Sequence, residues 1–65
     1  MPVITIEAAK MEKAQKEALI QNFTKLGSEI LKIPEQAFVV LLKENSADNI
    51  GTSGEMLSTV LAKRG

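Results

Sequence analysis

No cysteine and no histidine occur among the 65 residues, and that absence limits how the chain can be held together. A chain this short buries only about 60% of the surface it exposes when unfolded, so it needs a disulfide, a metal or a partner copy to be stable. Without cysteine there is no disulfide. Without cysteine or histidine a metal site would have only carboxylates, which suit hard cations alone, so no metal is expected. Self-association remains. A hydrophobic content of 45% is high for so small an interior, and leaves apolar side chains at a surface where a second copy can cover them.

Charge excludes other partners. Eight basic and eight acidic residues cancel, Lys63-Arg64 is the one basic cluster, and Phe23 and Phe38 are the only aromatics. The chain therefore offers nucleic acid neither an electrostatic footprint nor a stacking platform. No stretch approaches the ~20 apolar residues of a membrane span. A basic segment followed by an apolar signal core is also absent. The sequence predicts a soluble cytoplasmic protein of one domain over residues 1–65, binding neither membrane nor nucleic acid.

The hydrophobic pattern predicts an α+β subunit. Residues 2–7 read as a strand, because Val3, Ile4, Thr5 and Ile6 are all β-branched. Three of these four are apolar, which suggests burial on both faces. Residues 8–12 form a connection. Residues 13–32 read as one amphipathic helix, since Leu19, Phe23, Leu26, Ile30 and Ile33 recur at spacings of four and three. Glu12 with Lys16, and Lys25 with Glu29, are spaced for charge pairs along it. Gly27 costs the helix about 1 kcal/mol relative to alanine, which makes sense if something packs closely against it. Pro34 disfavours helical geometry at Ile33 and so ends the helix. The apolar run Phe38 to Leu42 predicts a second strand over residues 37–44. Strand, helix and strand in that order imply a parallel pair with a right-handed crossover. Residues 45–54 are rich in turn formers and read as a loop and short hairpin, and residues 55–62 as a short strand or helix. Gly51 and Gly54 lack the fuller glycine pattern of a phosphate loop, and nothing in the sequence asks for a cofactor.

Pro2 is the candidate for chemistry. A small second residue lets a cell remove the initiator methionine, and the exposed proline nitrogen is then a free secondary amine at the head of a strand. A general base should have a pKa near the working pH, and a free α-amino group lies at about 8. An apolar pocket disfavours the cation and lowers that value. Val3, Ile4, Phe38, Val39 and Ile50 are the residues expected to supply the pocket.

Met1-Pro2-Val3-Ile4-Thr5-Ile6, the helix opening Gln15 to Ile20, Ile33-Pro34 at its end, the strand Phe38 to Glu44 and the tail Asn49 to Glu55 together resemble the 4-oxalocrotonate tautomerase family. The match spans nearly the whole chain, with about one residue fewer in the loop before the helix. The resemblance implies a β-α-β subunit with parallel strands and a short C-terminal hairpin, pairing into a dimer with a four-stranded sheet and often into a hexamer. It implies an isomerase in which Pro2 is the catalytic base, moving a proton in a small enol or unsaturated 2-oxo acid. Family members carry arginines that bind substrate carboxylates and an aromatic that keeps the proline pocket apolar. Those positions fall here at Met11, Val39 and Ile50, and none is retained. Lys10 and Lys13 flank the loop position and are the alternative anion contacts, while Val39 and Ile50 line the pocket. The one arginine, Arg64, lies near the C-terminus. Two other readings stay open: a family member without catalysis, acting as a structural or binding oligomer, and a hydratase or dehalogenase using Glu7, Glu12 or Glu44 to activate water.

Overall fold

The structure, a computed structural model, describes residues 1–64. β1 (Val3–Ala8) and β2 (Val39–Glu44) form a parallel pair, joined by helix α1 (Lys13–Leu31) and a 3-10 turn at Glu35–Ala37. A second 3-10 turn, Ala47–Asn49, leads into a hairpin of β3 (Gly51–Thr52) and β4 (Glu55–Met56), and helix α2 (Leu57–Arg64) follows. The predicted β-α-β order, the parallel pairing and the C-terminal hairpin are all present. Residues 55–62 combine both predicted alternatives, two residues of strand followed by helix. Among the described residues, no helix is long and apolar enough to cross a membrane.

α1 begins where the Gln15 side-chain oxygen accepts the Glu12 N–H at 2.9 Å, satisfying one of the amides a helix start leaves unpaired. It ends at Lys32, which takes a left-handed conformation (φ 58°) and donates its N–H to the Ser28 carbonyl. Pro34 then stops the helix as predicted. The helical charge pairs are not what the spacing suggested. Lys16 pairs with Glu44 of β2 at 2.9 Å, and no ion pair joins Lys25 to Glu29 among the described residues. An ion pair along a helix surface is worth only a few tenths of a kcal/mol, so a better partner across the fold displaces it.

Phe38 also departs from its predicted place. It caps the 3-10 turn, donating its N–H to the Glu35 carbonyl, and its ring lies against Gly27. A Cβ added at Gly27 would sit 2.7 Å from the ring's Cε2 atom. This is the close approach that the mid-helix glycine implied.

The protomer has no interior of its own. Among the described residues none is fully buried. Its accessible surface is 5071 Å², against roughly 4000 Å² for a compact monomer of this mass. Its radius of gyration is 15.2 Å, where a compact 65-residue chain would have about 11 Å. Width explains much of this. Two strands span only ~10 Å, about the diameter of the single helix they carry. Phe23, Leu26 and Ile30 on the apolar stripe are therefore left open, Ile30 by 68%. β1 alternates instead of being covered on both faces: Ile4 and Ile6 are half-buried, and Val3 is 52% exposed. The segment from the second 3-10 turn to α2 packs chiefly on itself, which stretches the protomer to 44 Å.

Two predictions follow from these contacts. Gly27→Ala gains about 1 kcal/mol of helix propensity but forces a methyl into the Phe38 ring, an overpacking that costs about 1–3 kcal/mol. Urea unfolding at fixed protein concentration should show a net loss of about 1 kcal/mol, and in a Phe38→Leu background the same substitution should be neutral or stabilising. The second concerns Glu44, whose carboxyl is held below its ordinary value by the Met11 N–H and then by Lys16. A lowered folded-state pKa contributes stability that is present above the ordinary glutamate value and lost as pH falls through the folded value. Acid titration followed by NMR should place the Glu44 midpoint below 4.5. In Glu44→Gln this part of the acid destabilisation should be absent.

Candidate functional site

Pro2 stands at the open end of the parallel pair. Its carbonyl accepts the Val39 N–H at 3.0 Å, one step before the register that sets Val3 opposite Val39. Pro2 is half-buried, whereas Met1 is 88% exposed. A terminal residue bonded this way is held in the sheet, unlike the frayed end of an ordinary chain. With Met1 attached the Pro2 nitrogen is an amide without a basic lone pair. Release of Met1 makes it a secondary amine.

The neighbours at this end are apolar. Parallel register puts Val3 and Thr5 on one face with Val39 and Leu41, and Ile4 and Ile6 on the other with Val40 and Leu42. Val39 meets Pro2 through its backbone N–H, and the register sets its side chain beside that of Val3. Ile50 lies in the C-terminal segment. It caps the second 3-10 turn, its carbonyl accepts the Leu57 N–H at 2.7 Å, and it is half-buried within the C-terminal segment.

Lys10 and Lys13 lie at the other end. β1 runs away from Pro2 for six residues before the connection that carries Lys10 and leads to Lys13 at the start of α1, a rise of about 20 Å at ~3.3 Å per residue. One protomer therefore cannot bring either lysine to its own Pro2. Both are exposed and make no ion pair among the described residues. Arg64, in the last turn of α2, is exposed too.

The polar groups gather at the lysine end. Glu44 Oε2 accepts the Met11 N–H at 2.8 Å, and Oε1 accepts from Lys16 Nζ at 2.9 Å. Beside it Asn45 donates its N–H to the Ala8 carbonyl and its Nδ2 to Glu7 Oε1 at 3.3 Å. Glu12 sits at the start of α1. The three carboxylates considered for water activation are thus at the far end of the sheet from Pro2, and Glu7 and Glu44 are engaged in holding the chain. The joint role of Glu44, Met11 and Lys16 was not predicted. Its sequence signal is faint: an acidic residue that ends one parallel strand, level with the exit of the other.

Comparison with known proteins agrees with this architecture. A family model described as tautomerase enzyme matches residues 2–60. Among solved structures, TomN, a 4-oxalocrotonate tautomerase homologue of the tomaymycin biosynthetic pathway, superposes with a TM-score of 0.93 over 98% of this chain and 100% of its own, at 20% identity, which speaks to the fold alone. The apo form of unfused 4-OT superposes with a TM-score of 0.87 at 28% identity, over 91% of this chain and 98% of its own. A structure described for its trans-3-chloroacrylic acid dehalogenase activity gives 0.77 at 28% identity, over 86% and 98%. No curated protein sequence matches. With the family pattern running through nearly all of its length, and the β-α-β frame and hairpin shared with these structures, the chain belongs to the tautomerase family.

Proposed function

We propose that this chain is a self-associating tautomerase in which Pro2, after release of Met1, moves a proton within a small enol or unsaturated 2-oxo acid. The observation that carries this reading is Pro2 itself, half-buried at the head of β1 and tied to Val39 by a backbone hydrogen bond. The amine takes the proton from the enol oxygen or an acidic carbon and returns it at another carbon. Its ring fixes the direction of the nitrogen, which reduces the entropy lost in aiming it. Val39, and Ile50 contributed from a neighbouring copy, keep the surroundings apolar and favour the neutral, basic form. Lys10 and Lys13 supply the anion contact, again from another copy, because the sheet separates them from their own Pro2.

The same residues narrow the substrate. An arginine fork binds a carboxylate through two charge-assisted hydrogen bonds, and Met11 and Val39 provide none. A lysine offers a single point charge. A substrate with one carboxylate and an apolar body fits this site better than a dicarboxylate.

The test uses natively produced full-length protein. Intact mass should show loss of Met1. The processed protein should ketonise phenylenolpyruvate faster than 2-hydroxymuconate, and Pro2→Ala should lower kcat/KM by about 10²-fold or more. A rate no greater than buffer, or one unchanged by Pro2→Ala, removes the reading. It would leave a family member without catalysis, which the uncharged residues Met11 and Val39 at the family's arginine positions would then explain. Self-association has its own check. Protein that assembles as two or six copies should sediment as such at micromolar concentration, and its Tm should rise with protein concentration. A stable, compact 7.0 kDa species would refute it.

A further inference from the structure

One side chain ties the connection between β1 and α1 to the end of the sheet. Glu44 uses both of its oxygens on groups 33 and 28 residues away, the Met11 amide and the Lys16 ammonium. Met11 lies in the connection and Lys16 at the start of α1, so one carboxylate ties loop and helix to the end of the sheet. Among the described residues, the Met11 N–H makes the one hydrogen bond of the backbone over residues 9–11. The carboxylate also commits Lys16, whereas Lys10, Lys13 and Lys43 have no side-chain hydrogen-bond partner among the described residues, and of these three Lys10 is the one whose charge bears on Glu44.

We propose that Glu44 is a positioning residue: by holding the Met11 amide and Lys16 together, it sets where Lys10 presents its ammonium to a substrate carboxylate. The proposal rests on the tautomerase reading for the identity of the substrate, but the latch itself does not. Bonds from a charged group are the strong ones, shorter and roughly twice the strength of neutral pairs. Glu44→Ala removes both. Glu44→Gln keeps an oxygen for the Met11 amide but loses the ion pair. Lys16→Met loses the ion pair and leaves the carboxylate on Met11.

Two measurements on the processed full-length chain test this. The first is amide hydrogen exchange. Met11 should exchange at least about tenfold faster in Glu44→Ala, by less in Glu44→Gln and least in Lys16→Met, while Ile4, Ile6 and Leu41 keep their protection. The second is the kinetics of phenylenolpyruvate ketonisation. KM should rise about tenfold in Glu44→Ala with kcat within about twofold, and Glu44→Gln should recover part of the loss. Unchanged Met11 exchange overturns the proposal. So does a parallel loss of kcat, strand protection and assembly, which is what a merely structural carboxylate would give. If the wild-type chain turns over nothing, the functional reading fails separately. The latch is then decided by exchange together with an NMR titration with phenylpyruvate. A Lys10 response present in the wild type and lost in Glu44→Ala supports it, and an equal response in both, or none in either, overturns it.

Discussion

The bond from the Val39 N–H to the Pro2 carbonyl opens the ladder on which everything else in this chain is arranged. Six aligned residue pairs follow it, from Val3 with Val39 to Ala8 with Glu44. This ladder fixes Pro2 at one end of the sheet and the Glu44 carboxylate at the other. Among the described residues it also leaves the outer edge of each strand unpaired within the protomer, since that sheet has two strands. Unpaired edges and uncovered apolar faces invite further chains. With no fully buried residue among those described, the hydrophobic contribution that normally offsets chain entropy is not available inside one copy. The absence of cysteine and histidine closes the other routes, so folding and assembly are one problem for this chain.

Much of the fold was legible because local rules and the global arrangement agree. β-branched Val3 to Ile6 form β1, Pro34 ends α1, and Gly27 marks the approach of a large side chain. The hairpin was legible as turn chemistry. Its turn residues, Ser53 (φ 52°) and Gly54 (φ 80°), both take left-handed geometry, which matches the twist of a tight hairpin. Two things were not legible. Phe38 belongs by composition to the apolar strand run, and only the position of α1 shows that its ring is needed against Gly27. Lys16 has a partner at helical spacing in Glu12, and only the strand register reveals Glu44 as the better one. Both are long-range facts, and periodicity in one dimension does not contain them.

The candidate site divides the same way. The backbone bond between Pro2 and Val39 follows from the parallel pairing. The separation of Lys10 and Lys13 from Pro2 follows from the same pairing, because the connection leaves β1 at the far end. One protomer keeps the two places about 20 Å apart. Ile50 illustrates a further step. It lies on a segment that packs chiefly on itself, so its neighbours in an assembly depend on where another copy sits.

These positions give the protomer a chemical polarity. One end of the sheet is apolar, with Pro2, Val3, Val39 and Val40. The other holds Glu7, Lys10, Lys16, Lys43, Glu44 and Asn45. The proposed reaction needs both kinds of surroundings at once: a dry one to keep an amine neutral and a cation to hold a carboxylate. A single copy would have to compromise, since a cation beside the amine brings water with it, whereas an apolar wall leaves an anion unsatisfied. Keeping the two ends apart avoids that conflict within the chain, and the proposed self-association would supply the missing surroundings from another copy. On this reading, the narrow sheet that denies the protomer a core also makes its chemistry a property of the assembly.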